Sequence, residues 1–164
     1  MIKQAGESRN LPLRHALATL AYRAAKVIRD TPNNFSGFRL AEGSRSAGEI
    51  LAHMCDLMDW MLSQMRGKER WRNSKRRSWE EDSARFFAAL TSCDKYLRSG
   101  DALHVTPERA FQGAVADALT HTGQIAMMRR PAGARVRGKN YSRAKITVGR
   151  TGPDQHKPVS EFGE

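Results

Sequence analysis

Four stretches of the chain repeat apolar residues at helical spacing, and each is bounded by residues that start or stop helices. In the first, Leu13, Leu17, Leu20, Ala21, Ala24, Val27 and Ile28 share one face of a helix predicted over residues 11–29. Pro12 suits its first turn, and Asp30-Thr31-Pro32 ends it. Ser46-Ala-Gly-Glu49 has capping-box spacing, in which serine and glutamate side chains each accept an amide proton left over at a helix start. The stripe behind it runs Ile50, Met54, Leu57, Met58, Met61 and Met65 and stops at Gly67. Ser78-Trp-Glu-Glu81 repeats the device, followed by Phe86, Phe87, Leu90, Cys93, Tyr96 and Leu97, with Gly100 closing the helix. Thr106-Pro107 sets an N-cap before a proline at the first helical position, and Phe111, Val115, Leu119, Ile125 and Met128 carry the fourth stripe to Pro131. No long run alternates with period two. The predicted fold class is therefore all-α: a four-helix bundle within a single domain over 1–164, the bundle over about 10–130 and a Gly-, Pro- and Arg-rich tail over 131–164.

At 164 residues and 40% hydrophobic content, the chain builds a core without disulfide or metal staples. Its two cysteines, Cys55 and Cys93, make no disulfide framework. No run approaches the roughly 20 apolar residues of a spanning helix, and Arg14 and His15 interrupt the only apolar stretch near the N-terminus. No membrane association and a cytoplasmic location are expected. The net charge of +11 is unevenly placed. Residues 66–77 hold seven basic side chains and one acid, residues 129–150 hold eight and none, and the remainder is mildly acidic. Solvated linkers, with a tryptophan tucked against the bundle end, are the simpler account. A nucleic-acid surface is the alternative, with Lys and Arg on phosphates and Trp71 and Trp79 stacking on bases.

Two helical faces carry residues that an apolar core does not call for. His53 follows Ile50 by three positions and precedes Leu57 by four, on the apolar stripe of the second helix. Asp117 and His121 lie one turn apart on the fourth, on the side of Ala110, Ala114, Ala118 and Ile125, which predicts that both point inward. A buried carboxylate is costly unless a partner satisfies it. An Asp–His ion pair is one solution. The other is a divalent cation shared by His53, Asp117 and His121, since an i, i+4 pair from one helix plus one ligand from another leaves open coordination positions.

Ser46-Ala-Gly-Glu-Ile-Leu-Ala-His53 with Leu57 and Trp60, and Leu119-Thr-His121-Thr-Gly-Gln124-Ile125, together resemble the DinB-like superfamily. That superfamily is also described through bacillithiol-dependent transferases and mycothiol-dependent maleylpyruvate isomerases. The resemblance spans roughly residues 10–130, and its most specific piece is His121-Thr-Gly-Gln124. It implies an up-down-down-up bundle, usually dimeric, and a metal held by one histidine of the second helix and two of the last. His53 and His121 match those ligands, while Asp117 stands where histidine is commoner. A two-histidine, one-aspartate set suits zinc or nickel, and also manganese or iron. In thiol-transferring members the metal holds a low-molecular-weight thiol as its thiolate. The tail, from Tyr141 to Glu161-Phe162, also resembles uncharacterised members.

Cys55 is two residues from His53 and faces largely away from it on a helix. Cys93 has no basic neighbour in sequence to favour a thiolate. His15, His104 and His156 read as surface residues, and Met54, Met58, Met61 and Met65 as core. Phosphate loops, Cys-x-x-Cys pairs and nucleophile elbows are missing from the sequence. Two functions follow: a metal-dependent thiol transferase or hydrolase, or a non-catalytic module binding an acidic partner through its basic segments. A homodimer is expected through alanine- and methionine-rich faces of the first and fourth helices, with Met127 and Met128 at the seam.

Overall fold

The computed structural model describes residues 2–162, with side chains from Asn10 onward; Met1, Gly163 and Glu164 of the expected domain lie outside the described residues. Four helical rods carry the fold: α1 (Ile2–Ile28), α2 (Ala47–Met65), α3 (Trp79–Ser99), and a last rod made of α4 (Pro107–Ala110), a π-helical turn (Phe111–Val115) and α5 (Ala116–Arg129). Among the described residues there is no strand, only an isolated bridge between Lys139 and Glu161. The fold class is all-α.

The starts are set as the capping residues dictate. Ser46 Oγ accepts the Glu49 amide at 3.2 Å while Glu49 Oε2 accepts the Ser46 amide at 2.6 Å. Ser78 and Glu81 form the same reciprocal pair, Thr106 accepts the Arg109 amide, and Gly100 ends α3 in the left-handed region at φ 81°. Two boundaries differ from expectation. Helix α1 begins at Ile2 and passes through Pro12, which forgoes one i→i−4 hydrogen bond inside the helix rather than opening it. In the last rod, the wider π turn breaks the 3.6-residue register, and Phe111, expected in the core, is 44% exposed.

One apolar core joins the rods, with Leu17 and Leu20 of α1, the four methionines of α2, Phe86 and Leu90 of α3, and Ile125 and Met128 of α5. Helices α1 and α2 each pack against both α3 and α5. Met128 is thus core, not seam, whereas Met127 is 60% exposed. The end pairings are specific. Asn10 donates to the Leu97 carbonyl and Arg14 pairs with Asp94 at 2.8 Å, while Trp79 Nε1 donates to the Ile28 carbonyl at 2.9 Å. Cys55 meets Asp82, and Tyr96 donates to the Met65 carbonyl.

The basic linker between α2 and α3 is irregular but anchored through its backbone. Asp56, 1% exposed, accepts the Ser74 amide at 2.8 Å and binds Arg85 at 2.6 Å; Asp59 binds the same guanidinium at 2.7 Å. Asp82 accepts the Arg77 amide at 2.8 Å. With its amides held from below, the linker turns its basic side chains outward, and all seven are exposed. Beyond α5 the chain folds back onto the helices. Tyr141 lies edge-on to Tyr22 with the Arg23 guanidinium 3.9 Å above its ring, Lys26 pairs with Glu161, and buried Thr151 bonds Thr91. Arg129 donates to the carbonyls of Val27, Arg29 and Asp30, satisfying acceptors at the end of α1. Among the described residues, no helix is long and apolar enough to cross a membrane.

Candidate metal centre

The three residues singled out by spacing meet across the α2–α5 groove. His53 projects from α2, and Asp117 and His121 occupy successive turns of α5. Asp117 Oδ2 lies 3.5 Å from His53 Nε2, and Oδ1 lies 3.4 Å from His121 Nε2. One donor atom from each of the three falls within 4.8 Å of the others. The imidazoles are edge-to-face, with centroids 4.9 Å apart at 85°.

One expectation is corrected. Asp117 does not point into the core: its carboxylate is 45% exposed, while both imidazoles are largely covered. The buried side of the rod is filled by Ala114, Ala118 and Ile125, which leaves Asp117 on its edge facing α2. Solvation of that edge removes the argument that Asp117 needs an ion pair to offset burial.

The spacing is informative about chemistry. Charge-assisted N–H to carboxylate bonds close to about 2.7–2.9 Å, well below the 3.4–3.5 Å seen at both rings. The two imidazoles approach different oxygens of the one carboxylate, and one donor atom from each residue converges within 4.8 Å, close enough for all three to reach a single ion. His121 Nδ1 lies 2.7 Å from Gln124 Oε1. With that amide oxygen accepting, Nδ1 carries the proton and Nε2 keeps its lone pair for the cluster. Burial, then the neighbouring His121 and Arg45, push the His53 pKa below its ordinary 6.5, against a smaller pull from Asp117. The shift favours the neutral imidazole, the form that ligates. The group can hold a metal ion.

Aromatic residues wall the site. Trp71 of the linker lies edge-on to His53 at 5.6 Å and to Trp60 at 5.8 Å. Trp60 Nε1 donates to Glu69 at 3.0 Å, and Gln64 binds the same oxygen. The Trp60 ring lies beside Gly113, where a Cβ would meet it at an ordinary contact distance of 3.5 Å. Sequence reasoning missed these supporting roles. Gln124 and Trp60 were findable, as residues i+3 from His121 and i+7 from His53 on shared helical faces; Trp71 sits in an irregular segment whose path no periodicity encodes. Trp79, paired with it by sequence, is buried beneath the end of α1.

The remaining candidates stand apart. Cys55 points to the Asp82 carbonyl at 3.2 Å and Cys93 to the Met58 carbonyl, and burial pushes both thiols up to about 12. His15 and His104 are exposed, and His156 bonds Thr147. A cavity of about 920 Å³ between α1, α3 and Gly152–Asp154 includes none of the three cluster residues. No family model, curated protein or solved structure matches the chain.

Proposed function

We propose that this protein is a DinB-like, metal-dependent enzyme of the thiol-transferase or hydrolase type, with one divalent cation held by His53, Asp117 and His121. The carrying observation is the convergence of one donor atom from each of His53, Asp117 and His121 to within 4.8 Å, from two helices. Zinc or nickel suits this donor set best, with manganese and iron next. When bound, the cation supplies Lewis acidity to a coordinated water or low-molecular-weight thiol. Around it, Gln124 fixes the His121 tautomer, Trp71 packs edge-on against His53, and the Asp117 charge tempers that acidity.

The end pairings support an up-down-down-up bundle. Arg14 with Asp94 and Trp79 with Ile28 run α1 against α3; Cys55 with Asp82 and Met65 with Tyr96 run α2 alongside α3. The apolar groove of about 420 Å³ between residues 12–16 of α1 and the start of the last rod, lined by exposed Phe111 with exposed Leu11 next in sequence, supports a homodimer seam there. Two reduced, buried cysteines suit the cytoplasm.

Elemental analysis of untagged protein, purified without chelator, tests the reading. Stoichiometric metal that is lost in His121→Ala is expected. No metal at any occupancy, in protein also offered zinc and nickel, would overturn it.

A further inference from the structure

A polar cleft of about 660 Å³ opens beside the cluster, and His53 forms part of its wall. Four cationic side chains line it: Arg39, Arg45, Lys75 and Arg76. Its two carboxylates are already committed to the protein itself. Glu49 caps the Ser46 amide and pairs with Arg39, and Asp56 is buried against Arg85 and the Ser74 amide. Arg76 is likewise engaged, donating to the Ser36 carbonyl. Arg45 and Lys75, in contrast, are exposed and pair with no carboxylate among the described residues. The cleft therefore carries positive charge at one side of the cluster, Arg45 from the loop before α2 and Lys75 from a linker whose backbone is pinned by Asp56 and Asp82. A backbone held in this way costs a ligand less ordering than a mobile loop would.

We propose that this cleft binds the anionic group of a small organic substrate, a carboxylate or phosphate, with Arg45 and Lys75 as its charge partners, and so sets the reactive end of that substrate beside His53. The assignment of a substrate rests on the metal-site reading above, but the anion site itself stands on the cleft alone. Substrate class follows from the geometry. A cleft of this volume admits a small molecule, and no tryptophan, tyrosine or phenylalanine is among its lining residues for a base to stack on; half-exposed Trp71 lies outside that lining, edge-on to His53 and Trp60.

The test uses the full chain freed of metal by chelator and dialysis, so that anion binding is read independently of any cation. Inorganic phosphate and succinate are titrated at constant ionic strength, with succinamide as the neutral control, following backbone amide shifts by nuclear magnetic resonance. Saturable shifts at Arg45, Asn73, Ser74 and Lys75 are expected with either anion and not with succinamide. An Arg45→Gln, Lys75→Gln double variant should weaken binding about tenfold, a factor of about three for each exposed charge removed, while its melting temperature stays within error of wild type and it still binds one equivalent of zinc. Equal affinity in wild type and the double variant, or equal shifts with succinamide, would overturn the proposal. So would a single-stranded oligonucleotide that binds more tightly than either anion, with shifts spread over residues 66–77 and 129–150; that result favours nucleic acid. Zinc binding without anion binding would overturn the cleft and leave the metal site standing, and the reverse would do the opposite.

Discussion

Substituting Arg85→Met tests how the linker is held over the metal site. In the native fold one guanidinium serves two carboxylates, Asp56 at 2.6 Å and Asp59 at 2.7 Å. Asp59 is 36% exposed and can return to water, so its loss costs at most about 1 kcal/mol. Asp56 cannot, since it is 1% exposed and retains only the Ser74 amide. Stranding one member of a buried pair costs about 3–5 kcal/mol. In a domain of this length each kcal/mol shifts the melting temperature by about 2–4 °C, which gives a fall of about 6–20 °C. Adding Asp56→Asn removes the stranded charge while keeping an acceptor for Ser74, and should recover most of the loss. Thermal melts by circular dichroism read both variants, and tryptophan emission reports whether Trp71 leaves His53. A fall under about 2 °C, or a double variant no more stable than Arg85→Met, would refute the argument that a buried charge pins the linker.

Further outcomes follow from the same residues. Gln124→Ala should weaken zinc binding about 10–100-fold in a chelator competition while leaving the melting temperature of the metal-free protein nearly unchanged, because the side chain is exposed and acts through His121; an unchanged affinity counts against the tautomer argument. The Ser46 amide, then Arg39, hold the Glu49 carboxyl down at about 2 against an ordinary 4.5. The folded state thus binds fewer protons than the unfolded one, and the stability from this cap is complete above pH 4.5 and lost as pH falls toward 2. Melts from pH 2 to 6 should therefore converge for wild type and Glu49→Gln at the acid end; a constant gap across the range contradicts the linkage. Light scattering at micromolar concentration should return twice 18.4 kDa, and Phe111→Glu should halve it; a wild-type mass near 18.4 kDa sinks the proposed seam.

What the sequence encodes locally, it encodes legibly. Both capping boxes, the Gly100 stop and the Thr106-Pro107 start are short-range devices whose partners lie within three residues, and each stands in the structure where spacing puts it. The His53, Asp117 and His121 grouping was readable because helical period fixes which face each residue occupies. Features set by nonlocal geometry were not. The π turn that moves Phe111 to solvent depends on how the last rod accommodates its neighbours, including Trp60 beside Gly113. The exposure of Asp117 depends on the width of the groove against α2. The tail has almost no apolar periodicity, yet Thr151, Tyr141 and Glu161 seat it on α1 and α3 through polar and aromatic contacts that no pattern announces.

The coordination sphere itself gives the most direct check on the metal centre. Protein loaded with one equivalent of zinc should give an X-ray absorption spectrum with two imidazole nitrogens and carboxylate or water oxygens at about 2.0–2.1 Å. Asp117→Asn should lose affinity while keeping the two-imidazole signature, Asp117→His should show a third imidazole, and His121→Ala should show only one. A first shell without imidazole scattering, or a wild-type spectrum unchanged by His121→Ala, would contradict a cation held by His53, Asp117 and His121.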